Sequence, residues 1–404
     1  MKRREPKILF LPSLYPSDLD PVGGIFIRKH AAAAAGFCDV AVLYVATDPG
    51  LVHTPYRISR QDENGVCTVR VYKKGGGGTP IVSGIRNAFR NLVAYWKGYT
   101  LIERSFGRPS LIHVCVAMPA GIVALALKYL KGIPFLITEH FSIYTDYDGR
   151  YDRSSFFNRW LSRKVYSNAG AVSAVSRFLL DALKARRLAP EWAETIPNVV
   201  EAAGPVRERA LEDGRPKLIT LSLLNDLDKN LSGLLRAFLR VRRIYPDARL
   251  HIVGDGPDRG RIASLARELG LSEGDAVVLK GYVPNSEIYK EYLDASFFVL
   301  NSNYETFSVA TAEAIAHGVP VVVTKCGGPE EFVTPETGIL VERRNEESLA
   351  RGMIRMIERF RTFDPVSLRR YAKERFGEEY VGRLLFDFYR RYLEETSSKP
   401  EGSR

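Results

Sequence analysis

The sequence has 404 residues, more than the about 250–300 at which a single hydrophobic core stops growing, so it favours two domains. Its 45% hydrophobic and 26% charged residues exclude disordered, collagen-like and low-complexity chains. The net charge of +11 comes from residues 1–200, which hold 27 Lys and Arg against 15 Asp and Glu, so this half alone is expected to meet an anionic partner.

Short apolar runs alternate with longer segments of helical period along the whole chain, which is typical of parallel sheets covered by helices. In the first half, strands are predicted at 7–12, 39–45, 66–73, 111–116, 134–138 and 171–175. In the second half, they are predicted at 217–221, 249–253, 277–281, 297–300, 320–324 and 338–341. The predicted fold class is therefore α/β, with two doubly wound parallel sheets.

The N-terminus resembles a secretory signal only briefly, because Pro12 breaks the apolar run and no small-residue cleavage site follows. No other run reaches the about 18 apolar residues of a spanning helix. The four cysteines are far apart and include no C-x-x-C pair, so neither a disulfide framework nor a zinc site is expected. These features predict a cytoplasmic protein.

A segment bounded by Pro197 and Pro205 carries no period and predicts a linker between the two halves. We therefore expect an N-terminal domain at 1–200 and a C-terminal domain at 201–376. The strong helical pattern at about 377–396 follows, and we expect that helix to pack back on the first domain.

The segment 303–320 carries the clearest chemical pattern in the chain. It leaves a predicted strand and enters a helix near Ser308 that Gly318 ends, so Glu305 lies in the loop and Glu313 on the helix. At the helix start, the helix dipole and free backbone N–H groups would attract an anion such as a diphosphate. The groups concerned belong to Phe307, Ser308 and Val309.

Glu305 and Glu313, with seven residues between them and Gly318-x-Pro320 following, resemble the E-x7-E signature of retaining glycosyltransferases of the GT-B fold, in particular glycosyltransferase family 4. The runs at 174–176, 196–199, 320–324, 327–331 and 338–341 follow the family's order. The resemblance covers essentially the whole chain and is most specific over 217–342. It implies two Rossmann-like domains that face each other across a cleft, the first binding an acceptor and the second a nucleotide diphosphate sugar.

The same resemblance assigns roles to residues of the second domain. Glu313 would hold the ribose hydroxyls, Glu305 would contact the donor sugar, and Lys229 would meet the diphosphate. The segment Gly281-Tyr282-Val283 would lie beside the nucleobase, with the glycine turn at Gly254 nearby. The other donor-binding positions that it implies are Thr306, Phe307, Ser308 and Val309.

Two positions depart from the family pattern. Leu223 and Leu224 stand where relatives usually carry a glycine and an arginine that also meets the diphosphate, and Ser308 stands where glycine is common. A catalytically weak nucleotide-sugar-binding protein therefore remains an alternative.

In the first domain, Gly23 and Gly24 follow the first strand and resemble the family's glycine loop, which lets backbone N–H groups approach the donor. His140, after Thr138 and Glu139, resembles the histidine that faces the donor sugar. With Glu305 and Lys229 it completes the catalytic residues that the resemblance implies. Taken without the resemblance, His140 is interpreted as a structural residue, and a simple turn is an alternative interpretation of the glycine pair.

The implied reaction is a retaining transfer of a hexose-type sugar from a UDP- or GDP-linked donor to a glycan or lipid-linked acceptor, in cell-surface polysaccharide or glycolipid assembly. It needs no metal, no cofactor and no carboxylate nucleophile, because a lysine and a helix N-terminus can stabilise the leaving diphosphate. Three D-x-D triplets occur, at 18–20, 146–148 and 226–228, which chance readily supplies in a chain of this length.

The segment 85–102 offers an apolar helical face edged with cations. This face is formed by Ile85, Phe89, Leu92, Val93, Trp96 and Tyr99, and the cations are Arg86, Arg90, Lys97 and Arg104. Such a helix either covers the first sheet or lies on anionic lipid. On lipid, each cation near the surface would add about 1 kcal/mol to the free energy of membrane binding. The second alternative would place the protein at the inner face of the cell membrane.

Other functions remain in competition. A nucleotide-sugar epimerase can share the two-domain architecture, and a glycosidase would also use two carboxylates. A nucleic-acid binder would explain the basic half, but the sequence holds no recognisable nucleic-acid-binding motif, so nucleic acid is not an expected partner.

Overall fold

The computed structural model describes residues 6–75, 80–202, 204–205, 215–271 and 276–398, with the backbone alone at 80–85 and 397–398. The chain forms two compact units. One comprises Met1–Val199 together with Glu378–Arg404, and the other comprises Val200–Gly377.

The strands of the first unit are β1 Lys7–Pro12, β2 Asp39–Asp48, β3 Tyr56–Glu63, β4 Val66–Lys74, β5 Leu111–Cys115, β6 Phe135–Glu139, β7 Val172–Ala174 and β8 Ala193–Thr195. Those of the second are β9 Lys217–Leu221, β10 Arg249–Val253, β11 Val277–Gly281, β12 Phe297–Leu300, β13 Val321–Thr324 and β14 Gly338–Val341. Most of these strands are buried on both faces, as parallel strands between helices are.

The helices in the first part of the chain are α1 Ile25–Ala35, α2 Pro80–Ser105, α3 Ala120–Lys131, α4 Arg150–Arg153, α5 Phe156–Tyr166 and α6 Arg177–Ala185. Those that follow are α7 Asp226–Lys229, α8 Leu231–Arg242, α9 Arg259–Glu268, α10 Asn285–Leu293, α11 Val309–Ala316, α12 Glu346–Arg359, α13 Pro365–Phe376 and α14 Glu378–Ser398.

The first sheet has the order β3-β4-β2-β1-β5-β6-β7-β8. Its strands pair in parallel except for β3, which runs antiparallel to β4. Asn64 and Gly65 connect these two strands with φ of 50° and 78°, the left-handed backbone that a two-residue hairpin turn requires. The first sheet is therefore parallel apart from this edge strand, which was not predicted.

The second sheet has the order β11-β10-β9-β12-β13-β14, and its strand pairs are parallel. The chain winds outward from β9 to β10 and β11, then returns to the other side of β9 with β12. β9 and β12 are therefore neighbours, but the connection after β9 leads to one side of the sheet and the connection after β12 leads to the other. Such a reversal places a ligand crevice at the carboxyl ends of the two strands.

Helix α14 packs against α1 in the first unit. Val381, Leu385, Phe388 and Tyr389 are buried in the same core as Ile8 of β1. The hydroxyl of Tyr389 also lies 2.6 Å from Nδ1 of His113 on β5, so a polar contact fixes the helix as well as apolar packing.

The predicted fold class is confirmed, and six of the twelve predicted strands have the bounds that the structure shows. These are Lys7–Pro12, Lys217–Leu221, Arg249–Val253, Val277–Gly281, Phe297–Leu300 and Gly338–Val341. The other predicted strands differ at one or both ends, whereas Tyr56–Glu63 and Ala193–Thr195 were not predicted. Both of these are mainly polar and partly exposed, so they lack the apolar run on which the prediction relied.

Candidate functional site

The crevice of the second unit begins with the loops after β9 and β12. The loop after β9 leads into α7, whose last residue is Lys229, and the loop after β12 carries Glu305 and leads into α11. Asn303 ties the two loops together, because its N–H donates to the carbonyl of Asp228 at 2.7 Å and its Nδ2 to that of Leu227 at 2.7 Å. The carboxyl ends of these neighbouring strands thus bring Lys229 and Glu305 to one place.

Lys229 and Glu305 form a partly buried ion pair. The Lys229 Nζ atom lies 2.6 Å from Glu305 Oε1, and the two side chains are 24% and 13% exposed. Burial opposes the charge on the ammonium, but the Glu305 carboxylate outweighs it and raises the pKa of Lys229 above its ordinary value. Ser302 donates to the same Oε1 atom at 2.7 Å, so this oxygen already has two donors.

The backbone of Glu305 is held from the neighbouring strand. Its N–H donates to the carbonyl of Cys326 at 2.8 Å, and its carbonyl accepts from the N–H of Gly328 at 2.9 Å. A Cβ atom on Gly328 would lie 2.2 Å from the carbonyl oxygen of Thr306, so only glycine permits this approach. The loop that presents Glu305 is therefore fixed in place.

Helix α11 begins beside this pair. Ser308 occupies its N-cap with φ of 68°, a left-handed conformation that favours glycine, and its side chain does not cap the helix. Its hydroxyl instead lies 2.9 Å from Oγ1 of Thr311. The first turn, from Val309, therefore has no side-chain cap from Ser308, and the N–H groups and positive dipole end of such a helix start attract anions.

The side chain of Phe307 does not face the crevice. It is 3% exposed and packs against Phe332 and Phe376, with ring centroids 5.2 and 5.3 Å away. Only the backbone of Phe307 can therefore take part in a donor site.

Glu313 lies on α11 beside the fully buried Tyr292 of α10. Burial first, and then the Glu313 carboxylate, raise the pKa of the Tyr292 hydroxyl well above its usual range. The Tyr292 hydroxyl donates to the carbonyl of Ala310 at 3.0 Å. Tyr292 is a site neighbour that sequence reasoning missed, since no local pattern links α10 to α11.

The predicted glycine turn is formed at the ends of β10 and β11. The N–H of Gly254 donates to the carbonyl of Gly281 at 2.8 Å, and the two residues have φ of 128° and 75°. A Cβ atom on Gly254 would lie 1.9 Å from the carbonyl oxygen of Ser222, so this close approach requires glycine. Tyr282, the next residue, is 63% exposed, and Val283 is partly exposed.

The structure explains the departure at Leu224. This side chain is fully buried, and its backbone exchanges hydrogen bonds with Asp255 and Asp258. A charged arginine placed here would enter the core, whereas the adjacent Leu223 is 62% exposed. Two arginines that the sequence did not suggest, Arg343 and Arg344, contact the Asn303 backbone and side chain from the loop after β14.

In the first unit, Gly23 and Gly24 precede α1. Gly24 is the N-cap with φ of 74°, and a Cβ atom there would lie 2.4 Å from the carbonyl oxygen of Leu14. The N–H of Gly23 already donates to Asp20 Oδ1 at 2.8 Å. This N–H of the predicted glycine loop is thus already paired with a carboxylate of the chain itself.

His140 follows β6 and is 6% exposed. Its ring centroid lies 4.7 Å from that of Phe26 and 5.3 Å from that of His30. Neither of its ring nitrogens has a hydrogen-bond partner among the described residues. Burial, and then the neighbouring His30 and His113, lower the pKa of His140 well below its ordinary value, so the ring is neutral near pH 7.

Glu139 fixes the backbone on which His140 sits. Its buried carboxylate accepts the N–H groups of Ala117, His140 and Phe141 at 2.9–3.0 Å. The hydroxyl of Tyr166 is a fourth donor, at 2.9 Å. Sequence reasoning treated Glu139 only as a neighbour of the histidine, although a buried carboxylate with four donors determines the local geometry.

The predicted apolar face of α2 is divided in the structure. Phe89, Leu92 and Trp96 are exposed at 66%, 57% and 48%, whereas Tyr99 is buried at 1%. Placing Tyr99 on the same face was therefore wrong, because it packs toward the sheet with Ala94, Tyr95 and Ile102. Val93 is partly buried, and the side chain of Ile85 lies outside the described residues.

Two further features bear on the expected chemistry. In the described part of the chain, no group of three or more His, Cys, Asp or Glu residues could hold a metal ion. Within the same residues, every helix is too short or too polar to span a membrane.

Two family models match the chain. The model of "Glycosyl transferases group 1" matches residues 206–375, and that of "Glycosyltransferase Family 4" matches residues 31–203. A curated relative from Campylobacter jejuni, N-acetylgalactosamine-N,N'-diacetylbacillosaminyl-diphospho-undecaprenol 4-alpha-N-acetylgalactosaminyltransferase, is 31% identical over 210 residues. The match covers 51% of this chain and 55% of the relative, so the chain spans about half of that protein's length.

Two solved structures share the fold. Sucrose-phosphate synthase from Thermosynechococcus elongatus has a TM-score of 0.71 at 20% identity, over 97% of this chain and 100% of its own. Anabaena HepE, solved with UDP and glucose, has a TM-score of 0.70 at 16% identity, over 96% and 100%. At these identities the likeness shows the fold, which is that of the GT-B proteins.

Proposed function

We propose that this chain, which belongs to the group 1 and family 4 glycosyltransferases, moves a hexose-type sugar from a nucleotide diphosphate donor to a glycan or lipid-linked acceptor. The observation that carries the proposal is the Lys229–Glu305 pair beside the N-terminus of α11. An ammonium group and free helix N–H groups together form a site for a diphosphate.

Lys229 can exchange its ion-pair partner Glu305 for a bound diphosphate. A bound diphosphate would draw the ammonium from Glu305 and leave that carboxylate to accept hydrogen bonds from the donor sugar. Ser302 keeps Glu305 Oε1 oriented during this exchange. When the bond to the sugar breaks, negative charge accumulates on the leaving diphosphate, and Lys229 stabilises it without a metal ion.

The remaining donor contacts extend from this point. Glu313, on the same helix, would accept both ribose hydroxyls, because one carboxylate has two acceptor oxygens. The backbone turn at Gly254 and Gly281 would border the nucleobase, with Tyr282 and Val283 beside it. Anabaena HepE, which shares this fold, was solved with UDP and glucose, and this agrees with a donor of this class.

Same-face attack by the acceptor would give retention of configuration without a carboxylate nucleophile. Glu305 is the carboxylate at the diphosphate site, and we assign it to binding the donor sugar, with its Oε1 atom held by Ser302 after Lys229 has moved to the diphosphate. His140, a neutral and buried ring at the end of β6, is the residue to which the family resemblance assigns a contact with the donor sugar.

The first unit also carries features of a protein that acts at a membrane. Besides the exposed residues of α2, Phe156, Phe157 and Trp160 of α5 are exposed at 75%, 63% and 49%. Helix α5 contains Arg159, Arg163 and Lys164 but no acidic residue. Aromatic side chains edged by cations fit an anionic lipid surface, so we propose a peripheral contact with the cytoplasmic leaflet and a lipid-linked acceptor.

A panel of nucleotide sugars tests the proposed donor. At 100 times its dissociation constant, a true donor adds about 2.7 kcal/mol to the free energy of unfolding, which raises the unfolding temperature. We expect UDP or GDP sugars to do so for the wild type, and Lys229→Met to remove most of the effect. If no nucleotide sugar changes the unfolding temperature, the proposed function is wrong.

A further inference from the structure

Arg259, the first residue of α9, carries a buried and unsatisfied hydrogen-bond donor. Its Nη2 atom donates to the carbonyl of Leu279 at 3.1 Å. Its Nη1 atom is inaccessible to solvent and has no hydrogen-bond partner among the described residues. A guanidinium offers only donors, so the group that completes this site must be an acceptor.

The unsatisfied atom lies at the glycine turn. A Cβ atom on Gly281 would come within 3.4 Å of Arg259 Nη1, so that nitrogen lies beside the turn with no side chain of Gly281 between them. The backbone of Ser222 lies against Gly254, the other glycine of the turn, and the Ser222 hydroxyl is also buried without a partner among the described residues. Arg259 and Ser222 thus each bring an unsatisfied polar group to the residues around this turn.

The position relative to the diphosphate site is suitable for a nucleobase. β11 and β12 are separated by β10 and β9, and adjacent strands are about 4.8 Å apart, so the turn lies about 14 Å along the sheet edge from the loop of Glu305. With its diphosphate at the loop of Glu305, a nucleoside that extends along the sheet edge would place its base at the turn. The base is the end of the ligand farthest from the transferred sugar.

Resting on the proposed function, we infer that Arg259 selects the donor's base by donating from Nη1 to a carbonyl oxygen, and that Ser222 adds a second polar contact. Uracil and guanine present such an oxygen, whereas adenine presents an amino group that a guanidinium would repel. The arginine is a specificity-determining residue: it distinguishes bases and does not touch the reacting atoms. Losing one charged hydrogen bond to a buried acceptor commonly changes affinity by tenfold or more.

Titration calorimetry with UDP, GDP, ADP and inorganic pyrophosphate tests this assignment on the full chain. For the wild type we expect UDP or GDP to bind at least tenfold more tightly than ADP. Arg259→Gln should weaken the preferred nucleotide about tenfold and leave pyrophosphate affinity unchanged, since pyrophosphate has no base. Arg267→Gln is the matched control, because it removes an exposed arginine from the far end of the same helix.

Arg259→Lys and Ser222→Ala keep the test valid if Arg259→Gln unfolds. The lysine retains the charge but not the planar group, so it should also lose base discrimination. Unchanged affinity and base preference in Arg259→Lys and Arg259→Gln would overturn this inference alone. An equal loss of pyrophosphate affinity would do so too, because Arg259 would then act on the diphosphate. A wild type that binds no nucleotide would reject the proposed function itself.

Discussion

Lys229 and Glu305 are separated by 76 residues in the sequence, yet Nζ of the lysine lies 2.6 Å from Oε1 of the glutamate. The pair is formed because β9 and β12 are neighbours in the sheet and because Asn303 ties their following loops together. An incoming diphosphate therefore has to compete with a carboxylate of the chain for the ammonium. Glu305 would therefore oppose diphosphate binding as long as it holds Lys229, and it would contact the donor sugar after the diphosphate has bound.

Glu305→Gln should tighten the binding of inorganic pyrophosphate about fivefold, since removing one charge a few ångströms from an anion near a protein surface changes the energy by about 1 kcal/mol or more. The same substitution should abolish sugar transfer. Lys229→Met should weaken pyrophosphate at least tenfold. Calorimetry at one fixed salt concentration measures both changes.

Arg236 and Glu346 provide the control for that experiment, because they form an exposed ion pair in the same unit, with side chains 47% and 35% exposed. Glu346→Gln should leave pyrophosphate affinity unchanged. Weaker pyrophosphate binding by Glu305→Gln than by the wild type would contradict the competition described above.

Ser308 holds a left-handed φ of 68° at the start of α11, and this predicts how substitutions there behave. Glycine adopts this conformation without cost, so Ser308→Gly should change the free energy of unfolding by less than about 0.5 kcal/mol once the lost contact with Thr311 is included. A β-branched residue is strained there, and Ser308→Val should cost about 2 kcal/mol. Urea denaturation measures both, with Ser264→Val on α9 as the control for adding a valine.

The sequence predicted the frame of the second unit well, because its strands are apolar runs buried between helices. Through the family resemblance it also assigned roles to Glu305, Glu313 and Lys229, and these roles stay predictions. It could not reveal the Lys229–Glu305 pair or the Tyr292–Glu313 contact, since both depend on which distant loops meet. β3 was not predicted although Asn64-Gly65 is a strong hairpin signal. The strand predictions relied on apolar runs, and most residues of β3 are polar.

Tertiary packing also decided the face of α2. A helical period places Tyr99 near Trp96, and their ring centroids lie 6.5 Å apart, yet Tyr99 is buried and Trp96 is exposed. Gly98, between them, lets the helix approach Leu43 and Val71 closely. Periodicity alone describes an apolar side of a helix and does not reveal where the sheet is.

Buried histidines in the first unit predict acid sensitivity. Burial lowers the pKa of His30 from 6.5 to about 4 and that of His113 from 6.5 to about 3, the first despite a hydrogen bond to the carbonyl of Pro197. The unfolded chain binds protons first as pH falls below 6.5, so stability is complete above that pH and is lost toward pH 4. For His30 the loss amounts to about 3 kcal/mol.

His30→Gln tests this prediction, because glutamine can still donate to the carbonyl of Pro197 but does not titrate in this range. Between pH 7 and pH 4.5, the variant should lose less unfolding free energy than the wild type. His53→Gln, at an exposed position, serves as the control and should follow the wild type. Parallel curves for the wild type and His30→Gln would show that His30 does not contribute to acid sensitivity.

The exposed aromatic residues predict a lipid dependence that can be assigned to particular helices. Sedimentation with vesicles of phosphatidylcholine containing phosphatidylglycerol should capture the wild type and release it as salt rises, since the cations contribute part of the attraction. Phe89→Ser with Trp96→Ser should reduce capture severalfold, and Phe156→Ser with Phe157→Ser should do the same if α5 also reaches the lipid. Leu227→Ser removes a 74% exposed leucine of the second unit and should have no effect. Equal capture of the wild type and all variants would reject the proposed contact, and so would capture by vesicles of phosphatidylcholine that contain no phosphatidylglycerol. Both helices would then only cover the first sheet.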